Sequence, residues 1–231
     1  VTKQIAPGVH EMNVGGTSAF LLDFEGEVTL IDTGRPGNVD KIWSGLAEIG
    51  RSPEDVRNVL LTHYHIDHIG CLGPLWERTG ASVYAPAGDA ALIRSGGMIP
   101  QMESRGLLGA ALLRFIKPAP IPAHEVDLEA ADGHLLFVAE GVQVVATPGH
   151  TGGHAVYLWP QHGGVLFAGD VCFNLLGRLA PPPIGEDLTR ADKSFVKVSQ
   201  LDFEAACIGH GSSISKDAGA RFRKVAAGLT S

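Results

Sequence analysis

The chain has 231 residues, 45% hydrophobic and 19% charged, the composition of a folded globular protein and not of a disordered one. Twenty-five acidic and 18 basic side chains give a net charge of -7. With no basic run anywhere, a nucleic-acid partner is not expected. No stretch is apolar for long enough to span a bilayer, so no membrane role is expected either.

Val1 to Met12 lacks the basic head and apolar run of a secretory signal, although a chain that starts at Val leaves a removed leader open. Cys71, Cys172 and Cys207 are odd in number and have no close pair spacing. They read as small buried apolar residues in a reducing compartment, which places the chain in the cytoplasm.

In chain order, Phe20-Leu21-Leu22 and Val28-Thr29-Leu30-Ile31 read as strands joined at Glu25-Gly26. Val39, Ile42, Trp43, Leu46 and Ile49 recur at helical spacing, and Gly50 stops that helix. Ser52-Pro53-Glu54-Asp55 reads as a helix start. Val59-Leu60-Leu61 is a buried strand that delivers the chain to His63. A helix is expected over about 71–78, a strand at 82–84 and a helix over about 87–94. Residues 95–122 break the rhythm. Gly96-Gly97 opens them, an apolar helix spans Gly106 to Phe115, and Pro118, Pro120 and Pro122 close them. This segment reads as an insertion in a single domain of residues 1–231, serving as a lid or an oligomer contact, with a homodimer in view.

Strands return at 142–145, 155–158 and 165–168. Residues 171–189 read as irregular, 192–201 as helix, 205–208 as strand, and about 216–227 as a last helix. Strand pairs alternating with helices suggest layered sheets covered by helices on the outside.

Five of these features share one form, an apolar strand followed by a polar residue: Asp32, His63, His150, Asp170 and His210. Sites are commonly assembled where strand ends gather on one side of a sheet. The densest stretch is His63-Tyr64-His65-Ile66-Asp67-His68. In extended backbone, residues i and i+2 point the same way, so His63 and His65 can reach one ion while Tyr64 points away. Asp67 and His68 follow where the chain turns, and can face a second ion. Three imidazoles and a carboxylate within six residues make chemical sense as ligands of a cation. With His150, Asp170 and His210 there are seven ligands, more than one closed structural shell needs. Two divalent ions per chain, zinc by choice and iron or manganese by donor type, fit that count.

The motifs His63-x-His65-x-Asp67-His68, Gly149-His150-Thr151, Gly169-Asp170 and Gly209-His210 occur in the order found in the metallo-β-lactamase superfamily, which the chain resembles from Asp32-Thr33-Gly34 to His210. The resemblance implies an α/β fold, a four-layer αββα sandwich of two mixed sheets with helices outside and the metals in a cleft at one edge. It implies that His63, His65 and His150 hold the first metal, that Asp67, His68 and His210 hold the second, that Asp170 bridges them, and that Asp32 orients ligands without being one. The implied reaction is attack by a metal-bridging hydroxide on an ester, lactone or thioester carbonyl, with Asp67 and Asp170 as catalytic carboxylates.

Within the family, Asp170 sets the chain apart from dedicated β-lactamases, leaving weak promiscuous β-lactamase activity as an alternative. Only residues 211–231 follow His210, too few for the helical extension of hydroxyacyl-glutathione thioesterases. Val171-Cys172-Phe173-Asn174 lacks the tyrosine that acyl-homoserine lactonases carry after the bridging aspartate. The other alternative is a mononuclear iron persulfide dioxygenase using His63, His150 and Asp170. The expected partner is a small-molecule substrate with an apolar acyl part, lying against Phe173, Leu175, Leu176 and the insertion. His124 is a further candidate to line the substrate cleft, Arg178 reads as a solvated charge, and His154 as a hydrogen-bonded structural residue.

Overall fold

The protein is described by a computed structural model covering residues 1–116 and 120–229. It opens with four strands in sequence, β1 (Lys3–Ala6), β2 (Val9–Asn13), β3 (Ser18–Phe24) and β4 (Glu27–Ile31), each antiparallel to the last. Glu25 and Gly26, both at positive φ, make the tight turn from β3 to β4. Helix α1 (Val39–Glu48) crosses to β5 (Val56–Leu60), which lies parallel to β4. Then come α2 (Ile66–Ile69), α3 (Leu72–Thr79), β6 (Ser82–Pro86) and α4 (Ala90–Ser95).

Residues 96–122 carry β7 (Gly97–Met98), β8 (Glu103–Ser104), α5 (Gly106–Phe115) and β9 (Pro120–Ile121). The expected closing residue Pro118 lies outside the described residues. Strand β10 (Leu128–Ala130) completes a seven-stranded sheet in the order β1-β2-β3-β4-β5-β6-β10.

The second sheet is built from β11 (Leu135–Leu136), β12 (Val142–Ala146), β13 (Ala155–Trp159) and β14 (Val165–Phe167). After these follow β15 (Phe173–Leu175), β16 (Arg178–Ala180), β17 (Ile184–Gly185), α6 (Leu188–Ser199), β18 (Ala205–Cys207), β19 (His210–Gly211) and α7 (Ala218–Ala227). The sheet order is β11-β12-β13-β14-β18, with β18 parallel to β14.

Three apolar layers make the architecture an αββα sandwich. Between the sheets, Phe20, Ile31 and Leu60 lie in register across β3, β4 and β5 and pack with Val144, Tyr157, Phe167 and Cys207. The rings of Phe20 and Phe167 meet at 6.0 Å. On the outer face of the first sheet, Ile42 and Leu46 of α1, Leu72 and Leu75 of α3, and Ile93 of α4 cover Leu21, Leu30 and Val59. On the outer face of the second sheet, Phe195 of α6 stacks on Phe222 of α7 at 5.1 Å above Val156, Leu166 and Ala206. Because β3 and β4 are buried on both faces, their sequences are continuous apolar runs without alternation.

Several sequence expectations are corrected. Ser52 does form a capping box with Asp55, but the helix it starts is one 3-10 turn, because Val56 enters β5 at once. Helix α6 begins at Leu188, four residues earlier than read. Asp187 accepts the Arg190 N–H at 2.8 Å, and Leu188 and Ala191 extend the face of Phe195 and Val198. Helix α4 begins at Ala90, three residues later than read. Residues 171–189 are not irregular throughout: β15 and β16 form a hairpin turned by Leu176 and Gly177 at positive φ, and β17 pairs with β8.

Candidate metal centre

Strands β4, β5, β14 and β18, together with the loop after β12, deliver Asp32, His63, Asp170, His210 and His150 to one edge of the sandwich. Glycines let the loops close. A Cβ on Gly209 would stand 2.5 Å from Asp170 Oδ1 and 3.0 Å from His68 Cε1, so only glycine admits Asp170 so close to the chain before His210. Gly169 combines a φ of 48° with a Cβ position 2.8 Å from His154 Nε2.

All seven residues expected from the sequence come together. Their donor atoms form three overlapping groups: His63, His65 and His150; His63, His68 and Asp170; and Asp67, His68 and His210. His65 Nδ1 lies 3.0 Å from His63 Nε2 and 2.9 Å from His150 Nε2. His210 Nε2 lies 3.4 Å from both His68 Nε2 and Asp67 Oδ2. Asp170 stands between the groups. Its Oδ2 is 3.2 Å from both His150 Nε2 and His210 Nε2, and its Oδ1 is 3.4 Å from His68 Nε2.

Hydrogen bonds on the far side of each ring decide which nitrogen faces the cluster. Asp32 Oδ2 accepts from Thr62 Oγ1 at 2.7 Å and from His68 Nδ1 at 2.8 Å. Thr62 Oγ1, its proton given to Asp32, accepts from His63 Nδ1 at 3.0 Å. The carbonyl oxygen of Ile184 accepts from His150 Nδ1 at 2.9 Å. His63, His68 and His150 therefore turn unprotonated Nε2 atoms inward when neutral. Nitrogen and oxygen ligand atoms converging at about 3 Å, and a buried Asp170 Oδ1 with no hydrogen-bond partner, are the environment a cation satisfies. The donor set thus fits divalent metal.

The electrostatics of the metal-free cluster run in opposite directions. Burial, reinforced by neighbouring imidazoles, drives the pKa of His63 and of His65 well below 6.5 and keeps both rings neutral. Burial also opposes charge on His68, but Asp170 and Asp32 outweigh it and raise the pKa well above 6.5; Asp170 likewise raises that of His210. Burial works against ionised Asp170, yet His210, His68 and His150 hold it well below the usual carboxylate range. The same contest, with His68 and His210 prevailing, lowers Asp67.

Three buried residues support the cluster without joining its donor groups. Asp32, at a φ of 58°, also accepts the Thr62 N–H at 2.8 Å. His154 accepts the Asp170 N–H at Nε2 (3.0 Å), and its Nδ1 donates to Thr147 Oγ1 at 2.7 Å. That accounts for both ring nitrogens, and burial takes its pKa to about 3. Asp89 is the one that the sequence reading missed. It accepts from Gly153 N (2.7 Å), Thr151 Oγ1 (2.7 Å) and Tyr64 N (3.2 Å), which ties the loop of His63 and His65 to the loop of His150. Burial raises its pKa to about 6. Its signal in the sequence is the form shared by the other five: a strand, β6, then Ala87-Gly88-Asp89. Tyr64 does point away from the cluster, and its hydroxyl donates to Glu186.

A cavity of about 540 Å³ opens above the cluster, floored by His65, Asp67, His150, Asp170 and His210 and walled by Ile66, Ile99, Leu112, Phe115, Ile121, Phe173 and Ile184. Phe173 stacks on His210 at 4.7 Å. Of the residues expected to face substrate, Phe173 does. Leu176 is fully exposed, and Leu175 is not among the residues lining the cavity. His124 lines a different depression, beside Trp76 and Arg94. Arg178 is exposed, as expected of a solvated charge.

Comparison with known proteins agrees with this geometry. Two curated relatives match along most of their length: the probable metallo-hydrolase YflN of Bacillus subtilis (27% identity, 90% of this chain, 85% of the relative) and metallo-beta-lactamase domain-containing protein 1 of Xenopus laevis (29%, 87% and 76%). A hydroxyacylglutathione hydrolase of Pseudomonas entomophila is 33% identical over 55% of this chain and 38% of its own. Among solved structures, metallo-beta-lactamase SMB-1 in complex with mercaptoacetic acid aligns with a TM-score of 0.68 at 26% identity, covering 88% of this chain and 77% of that one. The MIM-2 metallo-beta-lactamase, at 20% identity and a TM-score of 0.72 over 96% and 86%, shares the fold. The family model of the metallo-beta-lactamase superfamily matches residues 12–210, from β2 to the last histidine of the cluster. That span takes in the first sheet from β3 onward, the whole second sheet and all seven donor residues, and on it the chain belongs to the metallo-beta-lactamase superfamily, whose members bind divalent metal and are hydrolase-type proteins.

Proposed function

We propose that the protein is a dinuclear metal-dependent hydrolase acting on an ester, lactone or thioester carbonyl. The observation that carries this reading is the convergence of seven donor residues in three overlapping groups, with Asp170 within 3.4 Å of His68, His150 and His210. His63, His65 and His150 would hold one ion and Asp67, His68 and His210 the other, with Asp170 between them. Zinc suits imidazole and carboxylate donors, as iron and manganese also do. When bound, such a pair supplies a water made nucleophilic near neutral pH and polarisation of the carbonyl under attack.

The chain's own groups do the rest. Asp67, whose Oδ2 accepts from Thr17 Oγ1 at 3.2 Å and which lines the cavity, would orient a water nucleophile and hold its proton. Asp32, Asp89 and His154 hold the ligand loops in place, so the geometry exists before substrate arrives. Phe173 and Ile184, both buried, exclude water, and together with the exposed Phe115 favour an apolar acyl part. Residues 96–116 act as the lid over that part.

Protein purified without added metal, analysed by elemental mass spectrometry and assayed on ester, lactone and thioester panels, tests the reading. About two divalent ions per chain, falling in Asp170→Ala and in His65→Ala, with turnover of at least one panel, is the expected result. One iron per chain that survives loss of His68 or His210 would replace the hydrolase with an oxygenase. No metal under any reconstitution would remove the mechanism altogether.

A further inference from the structure

The cavity above the cluster is asymmetric in charge. Among the described residues that line it, Arg35 is the one lysine or arginine, and much of the rest of the lining is apolar: Ile99, Leu112, Phe115, Ile121, Phe173 and Ile184. Arg35 directly follows Gly34 on the loop after β4, beside the cluster. Its backbone is pinned. The Arg35 N–H donates to the Val14 carbonyl at 2.9 Å, and the Arg35 carbonyl accepts from Cys71 Sγ at 2.9 Å and from Asn38 Nδ2 at 3.3 Å. The guanidinium, in contrast, is uncommitted. Its ion-pair partner among the described residues is Asp67, 3.9 Å away and beyond hydrogen-bonding distance, and the side chain is 57% exposed. A fixed backbone carrying a free planar fork at the mouth of a site is the arrangement that recognises a carboxylate. Two divalent ions would outweigh the charges of Asp67 and Asp170, so Arg35 adds to a positive cleft in a chain whose net charge is -7.

We infer that Arg35 is an anion subsite, and that the substrate is an amphiphile carrying both an apolar arm and a carboxylate. The apolar arm lies under α5 and the carboxylate lies on the Arg35 guanidinium. The reaction part of this inference rests on the hydrolase reading, whereas the binding part does not.

The test uses metal-loaded protein and two matched pairs of ligands. The first pair cannot be hydrolysed: para-decylbenzoate and para-decylbenzamide, with affinities measured by calorimetry. The second pair consists of the decanoyl esters of para-hydroxybenzoate and para-hydroxybenzamide, followed by release of the phenol. The expected result is tighter binding of the benzoate by roughly ten-fold or more, the worth of a charge-assisted hydrogen-bonded pair. The ratio should fall towards one in Arg35→Gln and partly return in Arg35→Lys. Metal content and circular dichroism would verify that both variants are folded and loaded. In turnover, the same ratio should appear in KM and not in kcat. Equal affinity for the two ligands in the wild type would overturn the inference. So would a benzoate preference that survives in Arg35→Gln, since the carboxylate would then sit on the metals. An intact binding ratio without hydrolysis of either ester, or of any member of the ester, lactone and thioester panels, would uphold the subsite and sink the hydrolase reading.

Discussion

The floor of the cleft and the roof above it are made of opposite materials. The floor and the cluster beneath it are polar and mostly shut away from water: Asp32, His63, His68, His150, His154, Asp89 and Asp170 are each no more than 2% exposed, while Asp67 and His210 are partly open to the cavity. Asp32, Asp89 and His154 each bind backbone or loop groups from a distant part of the chain. The roof, residues 96–116, is apolar yet open, with Leu107 92% and Phe115 82% exposed. Gly109 is the one buried residue of α5, against the Pro183 carbonyl. The roof is moored by few contacts: Arg105 on Asp192, the Arg105 N–H on Pro183, Glu103 on the Leu188 N–H, and the pairing of β8 with β17. A floor of this kind fixes ligand geometry at high cost in polar burial. A roof of this kind can change shape or sequence without unfolding the protein. On the proposed reading, chemistry would belong to the floor and substrate choice to the roof.

The largest effect should come from breaking the floor. Asp89→Ala leaves the Tyr64 N–H and the Thr151 hydroxyl without their acceptor in a buried setting, and the Gly153 N–H in a partly buried one. A loss of about 3–5 kcal/mol in denaturant unfolding is expected, with weaker zinc retention against a chromophoric chelator. Asp89→Asn keeps one acceptor oxygen and should lie between. A loss in Asp89→Ala no larger than that of a surface substitution would make the clamp between the two ligand loops irrelevant. Next in size is metal removal. Ions that bind only the folded cluster stabilise it by about 4 kcal/mol when free metal is a thousand times Kd. The melting temperature should therefore fall on adding a chelator, and Asp170→Asn should shrink that fall. An unchanged melting temperature would mean that the cluster is not a metal site.

How far the sequence could be read follows from the same contrast. The seven donors were legible because each follows an apolar strand or its turn and each belongs to a residue type with metal chemistry. The sandwich was legible because strands buried on both faces, such as Leu30-Ile31 and Val165-Leu166-Phe167, have no other apolar explanation. Asp89 was passed over because an aspartate after a strand, with no histidine nearby, is an ordinary turn residue until its three partners arrive from residues 64, 151 and 153. The Tyr64–Glu186 bond spans 122 positions, and no local pattern encodes it. The hairpin of β15 and β16 was missed because its turn places Leu176, fully exposed, at positive φ ahead of Gly177, a position where a leucine is uncommon. Arg35 was silent for the opposite reason: one cation beside a turn looks like solvent-facing charge.

A smaller effect separates His154 from the donors. Its folded pKa of about 3 lies below its ordinary value of 6.5, so between those pH values the unfolded chain binds a proton that the folded chain refuses. Its contribution to stability is full above about pH 6.5 and is lost as pH falls towards 3, with a slope of up to about 1.4 kcal/mol per pH unit. His154→Gln offers an acceptor to the Asp170 N–H and does not titrate. Measured on metal-free protein, its unfolding free energy should lose about one proton's worth of slope in that window compared with wild type. Identical slopes would mean that His154 is already protonated in the fold, which its bond from the Asp170 N–H forbids.

The smallest effect on stability should come from the roof, and it sharpens the contrast most. Phe115 lines the cavity while most of its ring faces water, so Phe115→Ser removes apolar contact with substrate but little packing. Unfolding free energy should change by no more than about 0.5 kcal/mol, and metal content should stay at the wild-type value. If an acyl arm lies under α5, KM should rise several-fold for decanoyl esters and hardly at all for acetyl esters, because only the long chain reaches the ring and each buried methylene contributes about 0.8 kcal/mol. A kcat that falls equally for both esters would show that the roof shapes the reacting geometry and does not select the acyl chain. In that case the division between floor and roof would fail where it matters most, at the substrate.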